Sequence, residues 1–172
     1  ELPGILGLEA VGVVEEIGNA SLDFKIGDRI AYITRNYGAY ASHRVIDNKL
    51  AIKIPDYIPD EVIATNFSRA ITVQMLMEQV TQVKPTDTIL ITAVTGGVGK
   101  IFSQWAKSKG ACVIGSVGNI EKISLARSFG CDYVFTYKQE DFVTQIMDIT
   151  KGKGVDKVFD SVGKDTFENS FK

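Results

Sequence analysis

The sequence has few residues that form disulfides or bind transition metals: two cysteines, Cys112 and Cys131, and one histidine, His43. Two thiols cannot build the disulfide framework of a small secreted protein or a four-thiolate metal site. Both cysteines are therefore interpreted as small apolar residues in a reducing compartment. His43 is interpreted as a half-buried strand residue, with contact to a ligand as the alternative.

Long apolar runs and an excess of one charge are also missing. No apolar run approaches the roughly 20 residues that span a bilayer. The first residues do not pair a basic stretch with an apolar run, as a secretory signal does. The formal net charge of −2 provides no basic surface for nucleic acid or an anionic membrane. We therefore expect neither a membrane nor a nucleic-acid partner, and we expect a cytoplasmic location.

The first 60 residues have the pattern of a β domain. Short alternating runs predict four strands, over residues 11–14, 30–32, 38–45 and 50–54. Several short strands at this spacing, with a turn signal at Gly27-Asp28, are typical of a small barrel-like module. Because the sequence starts at Glu1 without a methionine and stops at Lys172 without a helix stop signal, we expect an internal fragment of a longer protein.

From residue 61 onward, helices and strands alternate. A helix is predicted over residues 62–80, with Asp60 as its N-cap and a break near Ser68. Four strands then alternate with three helices: strands at 88–93, 112–116, 133–136 and 155–161, and helices at 98–109, 120–129 and 141–150. This order predicts βαβ units in a parallel sheet. The expected fold class is α/β, with an incomplete Rossmann-type parallel sheet (strands 1–4) and its leading helix in residues 61–172, preceded by the β domain.

A glycine-rich segment, Val94-Thr95-Gly96-Gly97-Val98-Gly99, lies between the first of these strands and the helix that follows it. Dinucleotide-binding folds place such a turn where the helix N-terminus faces the pyrophosphate. Gly96 is where the backbone must approach a phosphate, and Gly99 is where the helix must approach the strand. Val94 replaces the first glycine of the motif. The alternative, that the glycines only allow tight packing, remains open.

The end of the second strand favours NADPH over NADH. Enzymes that use NAD place an Asp or Glu about 20 residues after the glycines, where it binds the ribose 2′-hydroxyl. Here the strand ends in Gly115-Ser116-Val117-Gly118-Asn119, without a carboxylate, and Glu121 is expected on the following helix. Small residues leave room for a 2′-phosphate, which Lys122 is placed to bind. A solvated surface lysine is the alternative for Lys122.

Eight motifs together are more specific than any single glycine motif: Gly7-Leu8-Glu9-Ala10-Val11-Gly12, Phe24-x-x-Gly27-Asp28-Arg29, Gly38-Ala39-Tyr40, Gly96-Gly97-Val98-Gly99, Gln104-Trp105-Ala106-Lys107, Gly115-Ser116-Val117-Gly118 with Lys122, Tyr137-Lys138-x-Glu140-Asp141-Phe142, and Asp160-Ser161-Val162-Gly163-Lys164-Asp165-Thr166-Phe167-Glu168. Their combination resembles the medium-chain dehydrogenase/reductase superfamily, and within it the zinc-free NADPH:quinone oxidoreductases of the zeta-crystallin-like branch. The resemblance extends over essentially the whole chain. It implies that residues 1–60 are part of a GroES-like β domain and residues 61–172 are part of a Rossmann NADP-binding domain.

The resemblance also implies which residues bind the cofactor. Thr72 matches the family threonine near the nicotinamide, and Gly97 and Val98 match the pyrophosphate contact. The pocket for the adenosine 2′-phosphate is formed by four residues, Gly118, Asn119, Lys122 and Tyr137. Ser161 follows the fourth strand, beside the switch point where a Rossmann cofactor crosses the sheet. Three residues depart from the family pattern around this site: Ala70, Val94 and Lys100.

By the same resemblance, the activity is zinc-independent hydride transfer from NADPH to a small-molecule quinone or enone. Zinc-dependent relatives carry Gly-His-Glu where this sequence has Gly7-Leu8-Glu9. Leu8 therefore stands at the position of a zinc ligand, and no metal is expected. The catalytic residues would lie outside this chain, and the full-length family member would be a homodimer. Two alternatives remain: a non-catalytic remnant that keeps part of the cofactor site, and an NADPH-binding protein with a structural or nucleic-acid-contacting role.

Overall fold

The computed structural model of the protein describes residues 4–18, 23–137 and 142–172. Motif residues 138–141, which include the predicted start of the last helix, lie outside these ranges. The chain divides into two units, Glu1–Ser68 and Arg69–Lys172. Within the described ranges, no helix is long and apolar enough to cross a membrane.

The N-terminal unit contains a three-stranded antiparallel sheet in the order β1-β2-β3. Its elements are β1 (Glu9–Val13), β2 (Arg29–Ile33), a 3-10 helix (Asn48–Leu50) and β3 (Ala51–Lys53). The central strand is β2, in which Ala31 lies opposite Val11 of β1 and Ile52 of β3. The predicted turn before β2 is confirmed, because Gly27 has a φ of +90°, a conformation that favours glycine.

The strand predicted over residues 38–45 is wrong, because these residues form an irregular loop. The N–H groups of Gly38 and Ala39 both donate to the Gly7 carbonyl, at 3.1 Å each, so the chain turns here instead of continuing a ladder. The interpretation of His43 as half-buried is wrong as well. Its side chain is 72% exposed, and its Nε2 lies 3.0 Å from the Glu15 carboxylate.

The C-terminal unit contains a parallel sheet of four strands in the order β6-β5-β4-β7. Helices and strands alternate along the chain as α1 (Asp60–Gln74, which begins in the N-terminal unit), β4 (Thr88–Ile91), α2 (Gly97–Ser108), β5 (Cys112–Val117), α3 (Ile123–Ser128), β6 (Tyr133–Thr136), α4 (Phe142–Ile149) and β7 (Lys157–Phe159). The predicted α/β fold class is confirmed. Because β4 pairs with β5 on one side and β7 on the other, the strand order reverses at β4. Ligands of open α/β sheets bind at such a switch point.

Two details of the leading helix differ from the predictions. The helix passes through Ser68 without a break and changes to a π-helix only at Met75–Val80. Asp60 is the first helical residue rather than a residue before the helix, and its carboxylate accepts hydrogen bonds from the Arg29 guanidinium. A long-range ion pair therefore anchors the start of α1.

The core of the C-terminal unit consists of two clusters, one on each face of the sheet. In β4, Ile89 and Ile91 belong to the first cluster and Leu90 to the second, because alternate side chains of a strand point to opposite faces. Phe102 of α2, which is 1% exposed, packs on Phe159 of β7 with ring centroids 4.3 Å apart. Each fully buried side chain of this kind stabilises the fold by about 1.5–3 kcal/mol.

Both cysteines are free thiols. Cys131 lies in the first core cluster, and its burial raises the pKa of the thiol to about 11, so it stays protonated and unreactive at neutral pH. This confirms the interpretation of Cys131 as a small apolar residue. Cys112 is only partly buried, and burial raises the pKa of its thiol as well.

Candidate functional site

The turn between β4 and α2 presents backbone groups at the carboxyl edge of the sheet. The N–H of Gly96 donates to the Ala93 carbonyl at 2.8 Å, and Ala93 adopts a φ of +48°, which is uncommon for a residue other than glycine. Gly96 is the N-cap of α2 and offers no side-chain acceptor. The first N–H groups of α2 are therefore not capped by that residue, and this is the arrangement that binds anions at helix N-termini.

The glycines of the turn have different roles. A Cβ on Gly99 would lie 2.7 Å from the Ala93 oxygen and from the Val94 Cα, so packing of α2 against the turn requires glycine there. A Cβ on Gly97 would meet a side chain instead, 2.5 Å from Nε of Arg69. Tight packing against the backbone thus explains Gly99, as the motif requires, whereas the three atoms nearest to a Cβ on Gly97 all belong to the Arg69 side chain.

A cleft of about 480 Å³ runs along β7 and reaches the carboxyl end of β4. Three of the predicted cofactor residues line it: Val98, Gly99 and Ser161. Its walls are largely apolar and include Leu76, Ile91, Phe102 and Phe159. The structure therefore brings the glycine-rich turn and the loop after β7 to one concave surface, at the point where the strand order reverses.

The loop after β7 is held by a partly buried carboxylate. The N–H of Ser161 donates to the Thr92 hydroxyl at 2.8 Å, and that hydroxyl donates to the Asp160 carboxylate at 3.0 Å. The same carboxylate accepts hydrogen bonds from the backbone N–H groups of Val162 and Gly163, at 2.9 and 3.1 Å. Ser161 is consequently held by Thr92, which directly follows β4, and by groups on its own loop.

Asp160 is charged at neutral pH. Burial opposes ionisation, but hydrogen bonds from Thr166, Gly163, Val162 and Thr92 outweigh it and lower the pKa of this carboxyl below its ordinary value. The Thr166 hydroxyl lies 2.8 and 2.7 Å from the two carboxylate oxygens. A charged acceptor with several donors is a strong anchor for a loop.

At the ends of β5 and β6, the structure brings together two more predicted residues. A Cβ on Gly118 would lie 3.3 Å from the Tyr137 hydroxyl oxygen, so the ring packs directly on this glycine. Asn119 caps a short 3-10 helix (Ile120–Lys122), accepting from the Glu121 N–H and donating to the Glu121 carboxylate, both at 3.1 Å. Lys122 is exposed at the end of that helix.

The sequence-based predictions assign no role to three residues of this region. Arg69 lies over Gly97, and nothing in its sequence neighbourhood indicated this role. Thr92 and Asp160 position Ser161; a strand that ends in an aspartate followed by small residues is a turn signal that could have identified Asp160. The predicted residue Thr72 lies on α1, partly exposed and three positions after Arg69, so the two share a helix face.

In the part of the chain that the structure describes, no group of three or more His, Cys, Asp or Glu side chains is arranged to hold a metal ion. Leu8, at the family's zinc-ligand position, is 40% exposed. Zinc independence stays a prediction.

Both halves of the chain match known domain families. Residues 1–56 match the alcohol dehydrogenase GroES-like domain, and residues 97–172 match the zinc-binding dehydrogenase domain. The first match lies in the unit with the antiparallel sheet. The second begins at the first residue of α2 and includes the remaining elements of the parallel sheet.

Several proteins that are similar over nearly the whole chain are reductases. The quinone oxidoreductase of Salmonella typhimurium is 44% identical over 170 residues, which are 98% of this chain and 52% of that protein. The 2-haloacrylate reductase of a Burkholderia species is 42% identical over 99% of this chain and 52% of that protein. The crystal structure of Escherichia coli quinone oxidoreductase complexed with NADPH superposes with a TM-score of 0.91 at 41% identity, covering 98% of this chain and 52% of that one. The chain thus spans about half the length of the curated relatives it matches. It is similar to quinone oxidoreductases over about half of their length, and it matches parts of both the alcohol dehydrogenase GroES-like domain and the zinc-binding dehydrogenase domain.

Proposed function

We propose that this chain holds most of the NADPH site of a zinc-independent quinone or enone reductase. In this proposal, residues 1–60 are part of the GroES-like domain and residues 61–172 are part of the Rossmann domain. The observation that carries the proposal is the glycine-rich turn, which lies beside the loop after β7 at the switch point of a parallel sheet.

The pyrophosphate is assigned to the turn formed by Gly96, Gly97 and Val98, with Gly99 holding α2 against it. The first turn of α2 contains no acidic residue that would repel a phosphate. Its N–H groups and the positive end of the helix dipole both favour an anion here. The residues present therefore fit the diphosphate of a dinucleotide.

The 2′-phosphate is assigned to Gly118, Asn119, Lys122 and Tyr137. The Tyr137 ring on Gly118 forms one wall, and the exposed Lys122 supplies the positive charge. The nearest downstream carboxylate, Glu121, is engaged by the Asn119 amide instead of standing at the strand tip. This arrangement favours NADPH over NADH, because a 2′-phosphate needs a cation where NAD enzymes place a carboxylate.

The nicotinamide end is assigned to Thr72 and Ser161. When bound, NADPH supplies a hydride, and this chain's contribution is to hold the dinucleotide and orient its reactive ring. Asp160 and Thr92 restrict the movement of Ser161. The named activities of the two relatives, reduction of a quinone and of a 2-haloacrylate, both concern small conjugated molecules. This supports a substrate of the same class.

Removal of Lys122 tests the cofactor assignment. We expect Lys122→Ala to weaken NADPH binding by about 1–3 kcal/mol, the scale of a charge-assisted hydrogen bond, and to leave NADH binding unchanged. Lys153→Ala is the matched control, because Lys153 is also exposed but precedes β7 at the amino edge of the sheet. Fluorescence titration of both cofactors gives the dissociation constants. An equal loss for NADPH and NADH would remove the 2′-phosphate role of Lys122.

Turnover by the full-length protein distinguishes an enzyme from a non-catalytic protein that only binds NADPH. Oxidation of NADPH in the presence of a simple quinone supports the reductase, and tight binding without oxidation supports the alternative.

We also propose a cytoplasmic location and, for the full-length protein, a homodimer. The location is supported by the free thiols of Cys112 and Cys131, which are typical of a reducing compartment. The homodimer is supported by the family resemblance alone, and sedimentation velocity tests it.

A further inference from the structure

Arg69 of α1 occupies the space beside the first residue of α2. A Cβ on Gly97 would lie 2.5, 2.8 and 2.9 Å from Nε, Cδ and Cζ of Arg69, so the guanidinium end of that side chain packs on Gly97. In an α-helix the Cα–Cβ bond tilts toward the N-terminus. The group that fills the place of this Cβ therefore lies beside the N-terminal end of α2.

Arg69 faces a part of the molecule that is itself positive. The N-terminus of a helix carries the equivalent of roughly half a positive charge. The first turn of α2 has no acidic residue, and it contains Lys100, a cation where the family pattern has an apolar residue. A guanidinium beside such an end gains most when an anion lies between them, because the anion interacts favourably with both.

We propose that Arg69 is a phosphate-binding residue, which reaches from α1 to the cofactor's pyrophosphate at the glycine-rich turn. The inference rests on the proposed NADPH site and adds a residue from outside its glycine motif. It also accounts for Gly97, since a side chain there would displace the guanidinium. Arg69 itself is exposed, so a dinucleotide can reach it from solvent.

Arg69 and Thr72 of α1 would contact two different parts of the cofactor. Arg69 and Thr72 are three positions apart on one helix, so their side chains lie about one turn apart on the same face. Contact between Arg69 and the pyrophosphate would place the ribose and nicotinamide that follow it near Thr72. A single rigid helix would then set the distance between both contacts.

Binding of three ligands distinguishes the proposed pyrophosphate contact of Arg69 from the proposed 2′-phosphate contact of Lys122. NADPH carries both the pyrophosphate and the 2′-phosphate, NADH carries only the pyrophosphate, and adenosine 2′-monophosphate carries only the 2′-phosphate. We expect Arg69→Ala to weaken NADPH and NADH by the same factor, about tenfold or more, as for a lost charge-assisted hydrogen bond. Binding of adenosine 2′-monophosphate should not change. Lys122→Ala should show the complementary pattern, weakening NADPH and adenosine 2′-monophosphate but not NADH.

Two further variants control for packing and net charge. Arg69→Gln keeps most of the side chain over Gly97 without its charge, and it should weaken NADPH and NADH as Arg69→Ala does. Arg127→Ala removes an exposed arginine in the last turn of α3, which leads to the amino end of β6. This variant should bind all three ligands as the wild-type protein does. Thermal melting identifies any variant that fails to fold. If Arg69→Ala does not fold, the binding constants of Arg69→Gln decide whether Arg69 binds a phosphate.

The outcomes distinguish this inference from the proposed function. Unchanged or tighter binding of NADPH by both Arg69 variants would overturn the phosphate role, and tighter binding would identify the guanidinium as an obstacle in the site. If the wild-type protein binds none of the three ligands, the proposed function fails and the inference fails with it. A loss for NADPH and NADH, with adenosine 2′-monophosphate unaffected, supports both.

Discussion

Residues 69–172 contain both clusters of buried apolar side chains, whereas residues 4–18 and 23–68 bury few of theirs. In the antiparallel sheet, Ile30, Ala31 and Tyr32 of β2 are buried, but Val13 of β1 and Ile52 of β3 are more than half exposed. The parallel sheet is covered by helices on both faces, as parallel sheets generally are. The candidate cofactor site is therefore built on the unit with the larger core, and its backbone turns are supported by packed side chains.

The largest expected difference between the units is in core truncation. Phe102→Ala removes a ring that is 1% exposed and packed on Phe159, so we expect a loss of about 3–5 kcal/mol in the free energy of unfolding. The matched change in the other unit, Ile52→Ala, affects a side chain that is 53% exposed and should cost less than about 1 kcal/mol. Urea denaturation measures both. Similar losses would show that the two cores contribute equally.

A smaller difference is expected for glycine substitutions. In Gly99→Ala, the new Cβ would contact backbone atoms of Ala93 and Val94, which cannot move aside, so we expect a loss of about 1–3 kcal/mol in stability and weaker NADPH binding. A Cβ on Gly12 of β1 would have no other atom within 4 Å, and Gly12→Ala should change stability by less than about 0.5 kcal/mol. Denaturation and NADPH titration of both variants provide the test. A tolerated Gly99→Ala would contradict the close approach of α2 to the turn.

Each unit also has a carboxyl group with a lowered pKa. A hydrogen bond from Lys53 lowers the pKa of Asp28, and hydrogen bonds around Asp160 lower its pKa against the effect of burial. Because each pKa is lower in the folded state, the stabilisation is present above the ordinary pKa of about 4 and is lost as pH falls through the folded value. Asp28→Asn and Asp160→Asn should both reduce the loss of stability on acidification, measured by denaturation between about pH 6 and pH 3.

Cofactor binding separates these two variants. Asp160 anchors the loop that carries Ser161, so Asp160→Asn should weaken NADPH binding by about 1 kcal/mol, the scale of one hydrogen bond. Asp28→Asn serves as the control and should leave NADPH binding unchanged. An identical effect of the two substitutions on NADPH would argue against the positioning role of Asp160.

The smallest expected effect is that of metal removal, which should change neither unit. Leu8 stands at the position of the zinc ligand in the N-terminal unit, and the thiol of Cys131 is buried and protonated in the C-terminal unit. Treatment with a chelator should leave the melting temperature and NADPH binding as they were. Elemental analysis that finds stoichiometric zinc in the purified protein would contradict this prediction.

Contacts between residues that are distant in sequence explain where the structure differs from the sequence-based predictions. The motif Gly38-Ala39-Tyr40 alternates like a strand, but two of its N–H groups share the Gly7 carbonyl, a partner that is distant in sequence. The last strand of the parallel sheet was predicted over residues 155–161 and is limited to Lys157–Phe159. The residues that flank this strand make other contacts, which the periodicity of apolar residues does not predict. For example, the Thr88 N–H donates to the Asp156 carboxylate at 2.7 Å.

The sequence by itself determined the alternation of helices and strands, the parallel sheet and the glycine-rich turn at its carboxyl edge. These features depend on residue periodicity and on the backbone freedom of glycine, both of which act over a few neighbouring positions. Only the tertiary structure decided that Arg69 lies on Gly97 and that Thr92 and Asp160 hold Ser161. Thr92 and Asp160 are 68 residues apart, so their contact exists only because β4 and β7 pair. The periodicity of residues within each strand does not predict which strands pair with each other.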